Sequence, residues 1–425
     1  MALPARRCLR TRSTARTAAV ALVAVLALLG GTNFPALAQD KHQEDKSQED
    51  KPQGRTTTWT VRLVPDRDDT NVRSDAGALR LTTAATVPAS IRSGRPEGML
   101  LTAVHPLTEL SSQVTTEFVA DQPAGSAVAV DVRGIRGDGS WTEWVTTAPK
   151  VPARLGAAVT GVQARIVLHS GQGGASPLVR SVRLTAQPGV QLLAARPRNA
   201  PSYRVFATRE GLVGGTTANG HLIVPQDHFV ALPSARGLGP RDSGDYTVKV
   251  CASNGRCEWA PVWDVGPWNT TDDYWNAADD RQTWQDLPQG RPESQAAHDD
   301  GYNGGRDQFN RQVVNSAGID LADGTFWDGL GLRNNSWVTV TYLWTDGGTP
   351  AIVALPILPV FSGPGEQYPA VGLAAQRAKL LVECTTTGRA GTADRWLRIG
   401  PKQFISAAHV TIAKTQAPDT RCATP

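Results

Sequence analysis

The amino-acid sequence lacks most of the features that mark common classes of protein. Only one long apolar run is present, near the amino terminus, and no second run approaches the ~20 residues that cross a bilayer. The motifs of serine triads, metalloproteases, phosphate loops and dinucleotide-binding folds are absent, which removes most enzyme classes. The spacing of cysteines and histidines does not match a zinc site. We therefore expect no metal and no cofactor.

The single apolar run belongs to an export signal. Five arginines precede the apolar residues 18–29, and Ala36-Leu37-Ala38 supplies a small-residue cleavage site. This pattern predicts a signal peptide over residues 1–38. Its removal subtracts five positive charges from the formal net charge of +4 and leaves −1. The mature chain thus lacks the basic field that nucleic-acid binding needs, and we expect an extracellular protein that binds neither nucleic acid nor membrane.

Cysteine is scarce, but the mature chain keeps an even number. Cys8 leaves with the signal, so four of the five cysteines remain, and export makes disulfides the default. Cys251 and Cys257 flank a Ser-Asn-Gly turn signal, which predicts a bridge across a hairpin. That pairing leaves Cys384 to fasten the carboxyl-terminal tail at Cys422. A catalytic thiol is the alternative, although no histidine or asparagine pattern accompanies one.

The 425 residues exceed the usual size of one domain, which is roughly 100 to 200 residues. After the signal, a charged pentapeptide occurs twice, at residues 42–46 and 47–51, with nothing apolar to bury. This composition predicts a disordered linker over residues 39–56. Residues 57–187 alternate apolar and polar side chains in short runs between Gly, Pro and Asp. This pattern predicts antiparallel strands and an accessory β-sandwich domain.

Four spaced blocks of sequence carry a resemblance in the middle of the chain. The blocks are Gly214-Gly-Thr-Thr-Ala-Asn-Gly220, Phe229-Val-Ala-Leu-Pro233, Ala260-Pro-Val-Trp-Asp-Val-Gly-Pro267 and Gly318-Ile-Asp-Leu-Ala322. In this order they resemble the double-psi β-barrel of the rare lipoprotein A and expansin-like family, over residues 200–345. The resemblance implies a six-stranded barrel, here with a long insertion at about residues 268–317. The whole chain is then expected to be an all-β multidomain protein.

Asp264 is the first candidate catalytic residue. The Gly-Pro that follows it ends a strand abruptly, which places Asp264 at a strand end beside a groove. Glycosidic cleavage needs a carboxylic acid whose pKa is raised by apolar surroundings, and Trp263 and Trp268 could supply them. The resemblance also matches Asp264 to the groove aspartate of the family. In the alternative interpretation, Asp264 caps the turn by accepting hydrogen bonds from backbone amides.

His228 is the second catalytic candidate, on the resemblance alone. Lytic members of the family have a histidine just before the Leu-Pro step, and His228 lies one residue out of register with it. Either a bulge restores the register, or Phe229 occupies the catalytic side. Asn219, which we expect to share positive φ with Gly220 in a tight hairpin, is a candidate for substrate binding. Asp320 is another, with the tethering of a helix start as its alternative role.

Tryptophans concentrate around the predicted insertion. Aromatic residues are only 6% of the chain, yet residues 259–284 contain five of its twelve tryptophans. An indole ring stacks on sugar rings and its N–H bonds hydroxyl groups, so Trp263, Trp268 and Trp275 are candidates for binding a glycan substrate. Packing of a large loop onto the barrel is the alternative.

The carboxyl-terminal region carries a second resemblance. Leu358-Pro-Val-Phe-Ser-Gly-Pro-Gly365, Tyr368-Pro-Ala-Val-Gly372 and Trp396-Leu-Arg-Ile399 resemble a bacterial SH3 domain over residues 354–415. Such modules commonly target peptides of the bacterial wall, so the resemblance implies a targeting role. A purely structural cap is the alternative.

Together these patterns leave three hypotheses for function. The first is a secreted, wall-associated protein that binds cell-wall polysaccharide, with peptidoglycan as the leading candidate, through an expansin-like groove without breaking it. The second is a peptidoglycan lytic transglycosylase that uses Asp264 as its general acid, helped by His228. The third is a structural wall adaptor without catalysis.

Overall fold

The computed structural model describes residues 55–82, 96–189, 200–388, 394–412 and 420–422. The predicted signal peptide and nearly all of the predicted linker lie outside these ranges. Among the described residues, no helix combines the length and the apolar character that spanning a membrane requires. Strands dominate the described chain, which confirms the all-β prediction.

The first module is an antiparallel sheet of nine strands folded around one core. Its hydrogen-bonded path is β2-β3-β9-β5-β8-β6-β7, with β1 added at β9 and β4 at β8. The alternation predicted from the sequence turns leucines and valines inward, where they form a continuous buried cluster. The strands are β1 (Thr57–Thr60), β2 (Val72–Asp75), β3 (Ala78–Leu81), β4 (Glu97–Leu101), β5 (His105–Asp121), β6 (Ala127–Ile135), β7 (Val145–Thr146), β8 (Ala153–His169) and β9 (Leu178–Pro188).

The second module is a closed six-stranded barrel of mixed strand direction. Its strands are β10 (Ser202–Arg209), β11 (Val230–Leu232), β12 (Thr247–Ala252), β13 (Cys257–Val265), β14 (Ala317–Leu321) and β15 (Ser336–Tyr342). They follow the order β11-β14-β10-β15-β12-β13, and β13 pairs again with β11 to close the ring. The β10–β14 and β11–β13 pairs are parallel, and the others are antiparallel. Valines, alanines and isoleucine on alternate positions fill the interior.

The third module extends the sheet of the barrel. Its strands are β16 (Thr349–Val353), β17 (Ile357–Phe361), β18 (Ala370–Ala375), β19 (Lys379–Val382), β20 (Cys384–Thr387), β21 (Arg395–Gly400), β22 (Gln403–Ser406) and β23 (Val410–Ile412). β18 runs parallel to β13, with Gly372 opposite Cys257. A Cβ on Gly372 would lie 2.1 Å from the carbonyl oxygen of Cys257, so this strand contact requires glycine. β16, β19 and β23 form a separate three-stranded sheet.

Both predicted disulfides are confirmed. Cys251 and Cys257 are paired across the β12–β13 hairpin, with 4.0 Å between their Cα atoms. A disulfide bond joins Cys384 to Cys422, at a sequence separation of 38 residues, and holds Cys422 to β20. Since each bridge closes a loop of the unfolded chain, both reduce its conformational freedom.

The predicted insertion lies between β13 and β14 and is ordered by buried polar contacts. It contains the only α-helix of the described residues, α1 (Glu293–Asp300). The guanidinium of Arg281 donates through Nε to Oδ1 of Asp272 at 3.0 Å, and both side chains are fully buried. Tyr274 donates to the carbonyl oxygen of Gly318 and accepts from the hydroxyl of Tyr342. The insertion is thereby tied to two barrel strands.

One carboxylate joins the first module, the insertion and the end of β15. Oε1 of Glu143 accepts hydrogen bonds from the indole nitrogens of Trp275 (2.7 Å) and Trp344 (2.8 Å). Its Oε2 accepts from the amide of Asn276 at 2.7 Å. Trp275 also stacks on Tyr342, with ring centroids 5.2 Å apart. These contacts pack the first module against the barrel and its insertion.

We expect Glu143→Ala to destabilise the protein by roughly 2 to 4 kcal/mol, because two buried indole N–H groups lose their acceptor. Glu143→Gln keeps an acceptor oxygen and should cost less. Denaturant unfolding followed by tryptophan fluorescence measures both, with Glu117→Ala, an exposed glutamate of β5, as the control. Equal midpoints for Glu143→Ala and the control would contradict the role of Glu143.

Candidate functional site

A tight hairpin lies against β13 at the centre of the candidate site. Thr216 bridges Leu222, and the amide of Gly220 donates to the carbonyl oxygen of Thr217 at 2.9 Å. Gly220 has φ +86°, whereas Asn219 is not among the residues with positive φ. Our expectation of positive φ at Asn219 is therefore wrong, because one left-handed residue after the turn is enough to close this hairpin.

Asn219 is fully buried and its side chain holds the hairpin together. Its Oδ1 accepts from the hydroxyl of Thr217 at 2.7 Å, and its Nδ2 donates to the carbonyl oxygens of Gly239 (3.1 Å) and Pro240 (3.3 Å). These bonds link the hairpin to the loop before β12. Contact with a substrate stays a prediction for this residue.

Asp264 is 1% exposed. Its contacts are those of a carboxylate that caps a turn by accepting from backbone amides. Its Oδ1 accepts from the backbone amide of Ala218 at 2.6 Å and from that of Val265 at 2.9 Å. The hairpin is thus fastened to the end of β13 through a charge-assisted hydrogen bond. A catalytic role for Asp264 stays a prediction and requires movement of this hairpin, because the carboxylate does not reach solvent.

Asp264 and Asp320 face the same side of the sheet. Both are paired with Ala231 of β11, Asp264 in parallel register and Asp320 in antiparallel register. Two strand spacings separate them, so their Cα atoms lie about 10 Å apart. Asp320 is half-buried and accepts a hydrogen bond from the hydroxyl of Thr208. The fold therefore brings two of the predicted site residues to one face of the barrel.

His228 is held by a buried carboxylate that the sequence analysis did not single out. Its Nδ1 lies 3.0 Å from Oε1 of Glu258, which also accepts from the hydroxyl of Thr325 at 3.0 Å. Glu258 is fully buried, while the side chain of His228 is 12% exposed. Because Nδ1 is occupied, the imidazole is oriented with Nε2 as its remaining proton-transfer atom.

The surroundings raise the pKa of His228 above its ordinary value. Burial acts to lower the pKa, but the hydrogen bond and charge of Glu258 outweigh it, helped by the charges of Asp328 and Asp227. The imidazolium form of His228 is therefore more stable than that of an unperturbed histidine. A histidine of this kind can donate a proton to a bound ligand or form a charge-assisted hydrogen bond with it.

Phe229 follows His228 in the chain and belongs to a small apolar cluster. It is fully buried, stacks on Trp263 with ring centroids 5.9 Å apart, and meets the ring of His221 edge-on at 6.1 Å. His221 is in turn bonded through Nε2 to Asp227 at 2.8 Å. The register shift in β11 falls between Val230 and Ala231, after His228. These contacts place Phe229 against Trp263, and which of the two residues occupies the catalytic side stays a prediction.

A pocket of 360 Å³ opens beside His228. The barrel contributes polar side chains and one indole, and the third module contributes the rest of the wall. The lining residues are Gln226, Asp227, His228, Trp263, Asp328, Pro356, Ile357 and Gln376. Carboxylates, amides and a histidine around one indole are groups that bind hydroxyl-rich ligands.

The three tryptophans predicted to bind substrate differ in their exposure. Trp263 lines the pocket, and its Nε1 donates to the carbonyl oxygen of Ser243 at 2.8 Å. Trp268 is half-buried and donates to Asn315 at 3.1 Å. Trp275 is 1% exposed and bonded to Glu143. The geometry of Trp275 corresponds to the packing alternative, and sugar contact stays a prediction for all three.

One exposed tryptophan beside the pocket is not among the residues predicted from the sequence. Trp327 is 47% exposed, and the guanidinium of Arg209 lies 4.9 Å from the centroid of its ring. It sits on the π-helical turn Thr325–Gly329, next to Asp328 of the pocket. Trp327 lies just after the Ile-Asp-Leu block, and this is the feature of the sequence that indicates a place near the site. Its exposure cannot be read from the sequence.

Comparison with known proteins gives one match. Residues 201–341 match a family model described as a domain of unknown function, DUF8814. The matched range runs almost from the start of β10 to the end of β15, so it corresponds to the closed barrel with its insertion. No curated protein is significantly similar to the chain.

Glu258→Gln should lower the pKa of His228, because the charge of the carboxylate is lost while burial remains. The folded-state pKa of His228 is raised. The interaction of His228 with Glu258 therefore stabilises the fold fully below about pH 6, and this contribution is lost as the pH rises through the folded pKa. The parent should therefore exceed Glu258→Gln in unfolding free energy by more at about pH 5 than at about pH 8.

NMR titration of the His228 ring measures the shift directly. Asp328→Asn is the matched control, since it removes a nearby charge but no hydrogen bond to His228, and should lower the pKa less. An unchanged His228 pKa in Glu258→Gln would show that the pair does not set its protonation.

Proposed function

We propose that the protein works outside the cell and binds wall glycan, with peptidoglycan as the leading candidate, at the face of the barrel that carries Trp327 and the His228 pocket. The closed six-stranded mixed barrel is compatible with the double-psi topology that the sequence resembles, and the two disulfides are compatible with secretion. The exposed indole of Trp327, adjacent in sequence to a pocket residue, is the observation that carries the proposal.

The proposed contact follows the chemistry of sugars. The apolar face of a pyranose ring stacks on an indole, and its hydroxyl groups bond to carboxylates and amides. Trp327 would supply the stacking surface, while Asp227 and Asp328 would accept hydroxyl hydrogen bonds. His228, whose pKa is raised, would donate a hydrogen bond to an acidic or carbonyl oxygen of the glycan. The third module, proposed as an SH3-like wall-targeting domain, completes the pocket through Pro356, Ile357 and Gln376.

Binding without cleavage is the form of this proposal that the geometry supports best. Cleavage by a lytic transglycosylase needs an acid that reaches the glycosidic oxygen. Asp264 is bonded to two backbone amides under the hairpin, and His228 is bonded to Glu258 rather than to Asp264. One observation favours the lytic alternative, namely the oriented His228–Glu258 pair, which could protonate a leaving group. A non-catalytic adaptor is the remaining alternative.

The mature protein should co-sediment with intact and with peptide-stripped peptidoglycan, and Trp327→Ala should weaken binding to both. Loss of one stacked indole should cost about 1 to 2 kcal/mol, or roughly 5- to 30-fold in affinity. Phe309→Ala removes another exposed aromatic side chain, on the insertion, and should bind as the parent does. Parent affinity in Trp327→Ala would contradict the proposed surface.

Mass spectrometry of the supernatant separates binding from cleavage in the same experiment. We expect no soluble anhydro-sugar fragments from the parent, Asp264→Asn or His228→Gln. Fragments released by the parent and lost in either variant would establish the lytic alternative. Absence of both sedimentation and fragments would overturn the assignment to wall glycan.

A further inference from the structure

A second pocket lies where the three modules meet, and it is larger than the one at His228. Its volume is 530 Å³, within the range of small-ligand sites. The lining consists of charged residues alone: Arg67, Asp68, Arg241, Asp242 and Arg377. The pocket shares no lining residue with the candidate glycan site.

Three distant segments supply these charges. Arg67 and Asp68 lie in the β1–β2 connection of the first module, and Arg241 and Asp242 in the loop before β12. Arg377 is in the turn between β18 and β19 of the third module. Since more than a hundred residues separate each segment from the next, packing of the modules alone assembles the site.

The guanidinium of Arg241 is fixed in place before any ligand arrives. Its Nη1 donates to the carbonyl oxygen of Arg67 at 3.1 Å, and its Nη2 donates to the hydroxyl of Thr70 at 3.3 Å. Its Nε is buried and has no hydrogen-bond partner among the described residues. A Cβ on Gly220 would lie 2.3 Å from Nη2, so the glycine of the hairpin permits this placement. A preorganised guanidinium loses little entropy when it binds an anion.

The backbone is unusual at two of the five lining residues. Asp242 has φ +56° and Arg377 has φ +69°, a left-handed conformation that costs free energy for residues other than glycine. The carbonyl oxygen of Arg377 would lie 1.8 Å from a Cβ on Gly244, so the third module is pressed closely against the barrel loop. Strained residues of this kind concentrate at ligand sites, where tertiary contacts hold them in position.

The charges select the class of ligand. Guanidinium groups bind carboxylates through paired hydrogen bonds, and carboxylates bind ammonium groups. A polyanion would meet Asp68 and Asp242 and be repelled, while a simple cation would meet three arginines. We infer that this pocket binds a zwitterionic peptide end, with its free carboxylate at Arg241 and Arg377 and its ammonium group at Asp242. This inference stands apart from the proposed glycan site.

Trialanine with free termini is the probe, titrated into the full mature chain and followed by amide chemical shifts. We expect saturable binding that amidation of the carboxyl terminus and acetylation of the amino terminus each weaken by about fivefold or more. Arg377→Gln should reduce the effect of amidation, because Arg241 remains, and Asp242→Asn should remove the effect of acetylation. Arg395→Gln, an exposed arginine of β21 outside the pocket, is the control and should behave as the parent does.

Binding of polyphosphate and of the blocked peptides provides the results that could contradict the inference. Tighter binding of polyphosphate than of trialanine, equal binding of free and blocked peptides, or no saturable binding would each overturn it. Unfolding midpoints of Arg377→Gln and Asp242→Asn near that of the parent establish that both variants fold. Sedimentation with peptide-stripped glycan should be unchanged in both variants, so the two proposals can fail separately.

Discussion

Closure of the barrel by β11 is the constraint on which the candidate site depends. The strand has three residues, yet Val230 pairs with Val262 on one side and with Leu321 on the other. This double pairing places Ala231 between Asp264 and Asp320. A slip of one residue would turn Val230 and Leu232 out of the core and expose them to water, so the hydrophobic interior fixes the register.

The register of β11 also divides the residues before it between two environments. Phe229 packs into a small apolar cluster with Trp263, whereas His228 turns to the buried Glu258. A buried carboxylate is costly unless it is bonded, and His228 and Thr325 compensate Oε1 of Glu258, whereas its buried Oε2 has no hydrogen-bond partner among the described residues. The same contact that stabilises Glu258 inside the protein orients the imidazole and raises the pKa of His228. Stability and the chemistry of the pocket therefore share one interaction.

Several tryptophans lie where two parts of the molecule pack against each other. Trp275 and Trp344 bond to Glu143 of the first module, and Trp259 packs in the core of the third. Large aromatic side chains bury much apolar area and still offer one N–H donor, which suits them to joints that are largely dry but contain a polar group. The exposed Trp327 is left as the aromatic surface beside the His228 pocket.

Sequence alone determined the general architecture. Period-two alternation implied strands, since side chains of a half-buried strand must alternate between core and solvent. An even set of cysteines after a predicted signal peptide implied two bridges. The spaced blocks of the middle region were enough to predict a six-stranded barrel with an insertion. The Gly-Pro that follows Asp264 predicts that this residue lies at a strand end. Capping of the turn is the alternative role at that position.

Tertiary structure decided which side chains meet and which reach solvent. Glu258 carries no local signal, because its importance comes from a histidine thirty residues away in the chain and a threonine on another segment. Exposure separated Trp327 from Trp275, although the two residues are chemically identical, since burial depends on what other segments cover. The charged pocket arises only when three modules pack together, because no short stretch of sequence contains its parts. Local pattern sets the backbone, and long-range packing sets the site.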